Sequence, residues 1–258
     1  MSHQVILINP PQVFTKNQVA SGITPPLGIA YLASVLEHHD ISVDIIDAVG
    51  LEPGSINAFE KETFVRGLSF EDIVARLDDE VKVVGISNLF SFAYPVVQEL
   101  CRQIRAHNSQ IKIVLGGPHP SALYAEILDE DRELVDFVVL GEGENPFLYL
   151  CQKLLQDDIL FQSDIGSDIS NLAYLDDNGN CVMGTEKLAR NTKLNQDTIP
   201  FPARHLLPME EYIKAQESHG YSNGRWTSLI SSRGCPYGCT FCASRKTRWV
   251  SRSATDVA

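Results

Sequence analysis

The first 155 residues alternate short apolar runs with segments of helical periodicity, and this alternation constrains the fold more than any other feature. The apolar runs are Val5–Ile8, Val43–Asp47, Val81–Ser87, Ile111–Leu115 and Phe137–Leu140. The helical segments are Leu27–Glu37, Ser69–Leu77, Tyr94–Ala106, Ser121–Leu128 and Pro146–Leu155. Such alternation is typical of a parallel sheet with helices on both faces. We therefore predict an α/β fold with a doubly wound, parallel, five-stranded Rossmann-like domain over residues 1–155.

Polar and glycine-rich segments follow four of these strands. They are Asn9-Pro-Pro, Ser87-Asn-Leu, Gly116-Gly-Pro-His-Pro and Gly141-Glu-Gly-Glu. Because the carboxyl ends of parallel strands share one edge of a sheet, we predict a ligand-binding crevice at that edge. The adjacent glycines Gly116 and Gly117 permit a bulky ligand to approach the backbone, and Ser87 offers a hydroxyl to the same crevice. Tight strand-to-helix turns are the alternative explanation.

Three titratable side chains in these segments receive no chemical role. His119 lies between two prolines, where a surface turn residue is expected. Glu142 and Glu144 suit the positive start of the helix that follows them. A dinucleotide-binding loop is not supported, because the segment that begins at Gly141 ends in Pro146 instead of glycine.

Cys235, Cys239 and Cys242 form a Cys-x-x-x-Cys-x-x-Cys motif near the end of the sequence. Thiolates select zinc or iron-sulfur clusters, and a structural zinc site requires four protein ligands. Three cysteines can hold three corners of a cubane cluster and leave one iron open to a small molecule. A zinc site completed by His205 or His219 is the alternative, although neither histidine has the usual paired spacing. A disulfide is not favoured, since nothing marks the chain as secreted.

With Phe241 directly before the last cysteine, this motif resembles that of radical S-adenosylmethionine (SAM) enzymes. The resemblance implies that Cys235, Cys239 and Cys242 hold a [4Fe-4S] cluster, whose open iron binds the amino and carboxylate groups of SAM. It also implies an electron donor such as flavodoxin or ferredoxin, whose electron cleaves SAM to a 5'-deoxyadenosyl radical. Phe241 is then a candidate neighbour of the SAM adenine, with simple packing as the alternative.

The sheet domain shows a second resemblance, to the cobalamin-binding domain that precedes the radical SAM domain in cobalamin-dependent radical SAM enzymes. The segments that carry it are Pro25-Pro-Leu-Gly-Ile-Ala-Tyr-Leu-Ala33, Ser87-x-Leu89, Gly116-Gly117 and Leu140-Gly-Glu-Gly-Glu144. The resemblance implies that Ser87, Leu89, Gly116 and Gly117 accommodate the nucleotide tail of cobalamin. Domains of the methionine-synthase type carry a histidine after the first strand, but residues 9–28 contain none. The cobalt is therefore expected to lack a histidine ligand from this loop.

The remaining residues predict a connector and the beginning of a second domain. The connector, residues 156–224, contains a predicted hairpin of Asn171–Leu175 with Cys181–Met183 and a short helix, Pro208–Ala215. In residues 225–258, Trp226–Ser231 predicts a strand that delivers the cysteine loop from its carboxyl end. A radical SAM barrel needs on the order of 150 further residues. We therefore expect the chain to hold only the start of that domain and, alone, to turn over little or nothing.

Composition and charge argue against a nucleic-acid partner and against a membrane partner. The net charge is −12, yet residues 225–258 carry six Lys or Arg against one Asp, a balance of +5 that leaves −17 for the rest. A strongly acidic body argues against a nucleic-acid partner. The basic tail either offsets an anionic cluster and substrate carboxylates or is solvated surface. With no basic leader and no apolar run of membrane-spanning length, we expect a cytoplasmic protein without a membrane partner.

The two resemblances together imply the N-terminal part of a cobalamin-dependent radical SAM enzyme, with radical methylation of a small-molecule substrate as the preferred reaction. By the resemblance, one SAM supplies the hydrogen-abstracting radical and a second supplies the methyl group that cobalamin carries. Two alternatives stay open. One is radical cyclisation or rearrangement, and the other is a non-catalytic corrinoid-binding module whose cysteine loop holds a structural metal.

Overall fold

The computed structural model describes residues 3–16, 22–156, 167–184, 198–217, 224–233, 237 and 239–242. Its strands are β1 (Val5–Asn9), β2 (Gln12–Thr15), β3 (Val43–Asp47), β4 (Ile56–Glu60), β5 (Thr63–Arg66), β6 (Val83–Ser87), β7 (Lys112–Gly116), β8 (Phe137–Val139), β9 (Leu172–Leu175) and β10 (Cys181–Met183). Its α-helices are α1 (Leu27–His38), α2 (Ala48–Leu51), α3 (Phe70–Val74), α4 (Tyr94–His107), α5 (Pro118–Glu130), α6 (Glu144–Leu154) and α7 (Met209–Ala215). In these described ranges, no helix is both long enough and apolar enough to span a membrane.

The main sheet has the strand order β10-β9-β8-β7-β6-β1-β3. Strands β3, β1, β6, β7 and β8 run parallel to one another. The predicted α/β class with five parallel strands is therefore confirmed. The hairpin of β9 and β10, which lies in the predicted connector, pairs antiparallel with β8 and extends the same sheet.

Helices cover both faces of the parallel strands. Along β1, Val5 and Leu7 pack in the layer of α1 and α6, whereas Ile6 and Ile8 pack in the layer of α3, α4 and α5. This division follows from the two-residue period of a strand, which sends successive side chains to opposite faces. Because both faces are buried, the parallel strands are mostly apolar and do not alternate between apolar and polar residues, as in Val5–Ile8 and Phe137–Val139.

A second, three-stranded antiparallel sheet has the order β2-β5-β4 and was not predicted. Its strands are short. β4 is mostly exposed, β2 is mostly half-buried and β5 buries Val65 and Arg66. One contact across the sheet is the stacking of Phe14 on Phe64 at 5.8 Å between ring centres. Strands this short, with few buried side chains, carry no long apolar run, so the sequence pattern gave no signal for them.

The connector helix α7 is joined to the sheet domain through a buried carboxylate. Asp47 is fully buried at the end of β3 and accepts hydrogen bonds from Tyr212 Oη at 2.8 Å, Asn9 Nδ2 at 2.8 Å and the Gly50 amide at 3.1 Å. Burial raises the pKa of Asp47, and the hydrogen bonds from Asn9 and Tyr212 oppose that rise. Tyr212, itself 1% exposed, thus ties the connector to the carboxyl edge of the sheet.

Tyr212→Phe is expected to lower the free energy of unfolding by about 2 kcal/mol at neutral pH, because a buried carboxylate loses one donor. Because the pKa of Asp47 is raised on folding, stability falls as the pH rises from 3.8 through the raised pKa, and the substitution steepens that fall. Urea unfolding at several pH values measures both effects. Tyr149→Phe, at a half-exposed tyrosine of α6, is the matched control and should change stability by less than about 0.5 kcal/mol.

The prediction of a strand at Trp226–Ser231 is wrong. Within the described residues this segment joins neither sheet. It is held by side chains instead, since Arg204 donates to Thr227 Oγ1 at 3.1 Å and to the Ser228 carbonyl at 2.9 Å. A strand needs a neighbouring strand for its backbone groups, and the described part of the chain offers none here.

Candidate functional site

A cavity of about 430 Å³ opens at the carboxyl edge of the parallel strands, and we call it the edge cavity. This volume lies in the range of small-molecule sites, ~300–1,000 Å³. Leu7, Gly85 and Val114 of three parallel strands contribute to its lining. The first turns of α1 and α6 contribute as well. Residues of a distant segment, Ile230, Ser232 and Arg233, complete it.

The four residues predicted to contact the nucleotide tail of cobalamin all line the edge cavity. Ser87 ends β6 and lies opposite Gly116, which ends β7, in the parallel register. Strand pairing therefore brings the two together. Leu89 and Gly117 follow at once, and Leu89 remains 56% exposed. Contact of these residues with cobalamin stays a prediction, but they share one surface.

Glycine occupies several positions in the edge cavity, and the reason for it differs from one position to another. Gly117 has φ +110°, and a Cβ there would lie 2.5 Å from the carbonyl oxygen of Asn88, so the backbone itself requires glycine. At Gly116 a Cβ would meet no protein atom within 4 Å. Gly28, in the first turn of α1, lines the same cavity and has the same open space. Gly116 and Gly28 therefore enlarge the cavity without serving the packing of the protein.

An ion cluster lines the edge cavity where the segment before the cysteine loop meets α6. Arg233 Nη1 donates to Glu144 Oε1 at 2.5 Å and lies 3.9 Å from Glu142 Oε1. The Arg233 guanidinium carbon is 4.9 Å from the centre of the Tyr31 ring. Burial raises the pKa of Glu142, Arg233 lowers it, and Glu144 raises it. The arginine therefore offsets the repulsion between two carboxylates.

Sequence reasoning did not identify Gly28, Tyr31 or Arg233 as site residues. A signal existed for Gly28, since glycine inside a helix costs about 1 kcal/mol relative to alanine and needs a reason. No such signal existed for Arg233, whose partner Glu144 is 89 residues away in the chain. Glu144 does begin α6, where a carboxylate at a helix start was expected.

The prediction that His119 is a surface turn residue is wrong. Helix α5 begins at Pro118, one residue earlier, and His119 is only 6% exposed. Its Nδ1 lies 2.9 Å from Ser91 Oγ, and its ring packs on Tyr94 at 4.7 Å between centres. Burial lowers the pKa of His119, which favours the neutral ring. The two prolines open a helix here instead of forming an exposed turn.

The cysteine loop is only partly described, because Cys235 lies outside the described residues. Cys239 is exposed, Cys242 is half-buried, and the Cys242 amide donates to the Cys239 carbonyl at 3.2 Å. Phe241 is 91% exposed and is not part of the edge cavity lining, so its role toward SAM stays a prediction. Among the described residues no three His, Cys, Asp or Glu side chains are grouped to hold a metal, and the predicted set requires Cys235.

The other candidate metal ligands are engaged elsewhere or buried. Cys101 and Cys151 are fully buried, and burial raises the pKa of Cys101 to about 12, which keeps it a thiol. Burial also raises the pKa of Cys181. His205 Nε2 lies 2.8 Å from Glu37 Oε1, and His219 is outside the described residues. Metal binding by Cys235, Cys239 and Cys242 stays a prediction.

The fold and the edge cavity define an α/β domain of the kind that binds a small molecule at the carboxyl edge of a parallel sheet. Residues 17–150, just over half of the chain, match the family model described as the B12 binding domain. The chain belongs to this family.

Individual relatives extend the similarity beyond that domain. The chain is 31% identical to cytidylyl-2-hydroxyethylphosphonate methyltransferase of Streptomyces wedmorensis, over 93% of this chain and 48% of the relative. It is 24% identical to the anaerobic magnesium-protoporphyrin IX monomethyl ester cyclase of Synechocystis, over 96% of this chain and 44% of the relative. The chain thus spans about half the length of the curated relatives it matches.

A solved structure shares the fold. It is the radical S-adenosylmethionine methyltransferase TsrM from Kitasatospora setae, determined with cobalamin and a [4Fe-4S] cluster bound. The TM-score is 0.56 at 15% identity, and the match covers 96% of this chain and 42% of that chain. The similarity therefore includes the residues after the sheet domain.

Proposed function

We propose that this chain binds cobalamin in the edge cavity and a [4Fe-4S] cluster on the cysteine loop, as part of a radical SAM methyltransferase. The observation that carries the proposal is the composition of the edge cavity. Residues of the B12-binding fold, Ser87 and Gly116, line it together with Arg233, which lies two positions before Cys235. One cavity therefore joins the two predicted cofactor regions.

The residues present fit a corrinoid. Gly28 and Gly116 leave open space beside the backbone that a Cβ would fill. The Ser87 hydroxyl supplies a polar contact, and the rest of the lining includes apolar side chains such as Leu7 and Val114. Cobalamin is larger than the cavity, so only its nucleotide tail is assigned to this volume. Ser87, Leu89, Gly116 and Gly117 would hold that tail.

The chain contributes ligands, orientation and exclusion of water. Cys235, Cys239 and Cys242 are assigned as cluster ligands, and the missing fourth cysteine leaves a position open for SAM. Phe241 is assigned to the adenine of SAM. When bound, the two cofactors supply reductive cleavage of SAM and carriage of a methyl group, with electrons from a donor such as flavodoxin or ferredoxin. The described carboxylates at the cavity are those of Glu142 and Glu144, which Arg233 engages.

Methyl transfer is preferred because the Streptomyces relative, which is named a methyltransferase, is the more similar of the two relatives described above. Radical cyclisation is the second candidate, favoured by the similarity to the cyclase of Synechocystis. The two differ in what becomes of SAM. Methylation yields S-adenosylhomocysteine as well as 5'-deoxyadenosine, whereas cyclisation by hydrogen abstraction yields 5'-deoxyadenosine alone.

Anaerobic reconstitution with iron and sulfide, followed by titration with hydroxocobalamin, tests the proposal. We expect broad visible absorption, about four irons per chain, and one cobalamin per chain by equilibrium dialysis. If a dithionite-reduced sample converts SAM, chromatography of the products distinguishes the two reactions. Tetrahedral zinc without visible absorption would favour a corrinoid-binding module with a structural metal, and a chain that binds no cobalamin would contradict the proposal.

A further inference from the structure

The segment that leads into the cysteine loop is attached to the rest of the molecule by side chains. Arg204 holds its middle through Thr227 and the Ser228 carbonyl. Arg225 pairs with Glu210 at 2.6 Å, but both of these side chains are more than half exposed. An exposed pair of this kind holds a segment only weakly.

Arg233 is the last residue of this segment before Gly234 and Cys235, and it is held differently. Its side chain is 14% exposed, and Glu144, its partner at 2.5 Å, is 6% exposed. Tyr31 and Glu142 complete the cluster. All four side chains line the edge cavity. The same cluster thus faces the cavity and fixes the residue that precedes the cysteine loop.

The cluster restrains Arg233 in the position that these contacts define. A guanidinium presents a planar set of donors and stacks on an aromatic face, so its geometry is more restricted than that of a lysine. If Arg233 moved away, Glu142 and Glu144 would face each other in a partly desolvated site without a counter-charge, which is costly. Arg233, two positions before Cys235, is therefore held by side chains that a cavity ligand would contact.

We propose that Arg233 is a positioning residue that couples occupancy of the edge cavity to iron binding by the cysteine loop. This inference rests on the proposed function, because it takes the cavity ligand to be a corrinoid and the metal to be an iron-sulfur cluster. A corrinoid in contact with Ser232 and Arg233 favours the position of Arg233 in which it contacts Glu144. Cluster assembly favours the same position. Such coupling is reciprocal, so each ligand raises the affinity for the other by the same factor.

Dissociation constants for hydroxocobalamin, measured by equilibrium dialysis with and without the assembled cluster, test the coupling. We expect the protein to bind hydroxocobalamin about tenfold more tightly when the cluster is present. In Arg233→Gln the two constants should be equal, and in Arg233→Lys, which keeps the charge but not the planar donors, the ratio should be intermediate. Arg225→Gln, in the same segment but outside the cavity, should keep the tenfold ratio.

A second variant separates positioning from folding. Arg233→Gln leaves Glu144 buried without its partner and can lower thermal stability for that reason alone. The double variant Arg233→Gln/Glu144→Gln removes both charges, so we expect it to recover thermal stability without recovering the tenfold ratio. A double variant with the full ratio would overturn the inference.

The wild-type protein distinguishes failure of the coupling from failure of the proposed function. Equal hydroxocobalamin dissociation constants with and without the cluster would overturn the coupling while both cofactors remain assigned. If the wild-type protein took up no hydroxocobalamin or no iron, the proposed function itself would fail.

Discussion

Replacement of Cys239 by alanine is expected to abolish iron binding, and Cys235→Ala and Cys242→Ala are expected to do the same. The physical reason is that, in the proposed site, three thiolates hold the cubane, and the loop has no fourth cysteine to substitute for a lost one. After anaerobic reconstitution, iron content should fall from about four per chain to a background level, and the visible absorption should disappear. Iron and sulfide analysis on protein freed of loose metal measures the effect.

Two control variants show whether this loss is specific to the loop. Cys181→Ala removes a half-buried thiol of β10 and should leave the iron content unchanged. His205→Ala removes the side chain that a four-ligand zinc site could have recruited, and its pairing with Glu37 predicts no effect on iron. Full iron content in Cys239→Ala, or loss of metal in His205→Ala, would contradict the assignment of the cluster to the three cysteines.

Alanine at either of the adjacent glycines Gly116 and Gly117 adds one methyl group, but we expect one substitution to weaken ligand binding and the other to lower stability. Gly116→Ala should weaken hydroxocobalamin binding by about 10- to 100-fold, because the new Cβ points into space that the ligand needs, and overpacking of this kind costs ~1–3 kcal/mol. Gly117→Ala should lower the free energy of unfolding by about 1–3 kcal/mol, because alanine is strained at φ +110° and its Cβ meets the Asn88 carbonyl.

Equilibrium dialysis and urea unfolding on the same three variants separate the two effects. Gly54→Ala is the control, since a Cβ at Gly54 also meets no protein atom within 4 Å but the residue lies outside the cavity lining. Gly54→Ala should change neither quantity. If Gly116→Ala bound hydroxocobalamin as tightly as the wild type, the edge cavity would not be the site of the nucleotide tail.

The parallel core could be predicted because its physical demands are repeated along the sequence. Val5–Ile8 and Phe137–Val139 are buried on both faces, so each appears as a continuous apolar run of the length of a strand. The grouping of Ser87 with Gly116 also followed, since residues that end neighbouring parallel strands share an edge. In both cases the prediction followed from residues within or directly after a single strand.

Features that depend on distant partners could not be predicted. The hairpin of β9 and β10 was recognised from its turn, but nothing in its sequence shows that it pairs with β8. Trp226–Ser231 has the composition of a strand and yet finds no neighbour among the described residues. The contact of Arg233 with Glu144 joins residues 89 positions apart through side chains alone. Local propensity carries no information about such pairs.

The open space at Gly28 and Gly116 has a consequence for how such a protein changes over time. Because a Cβ at either position meets no protein atom, most small side chains there would leave the fold intact. At Gly28 alanine would even favour the helix, by about 1 kcal/mol. In the proposed function, the need for ligand space is the reason for glycine at these two sites. On that proposal, a lineage released from this need would lose cofactor binding by neutral drift before it lost its structure.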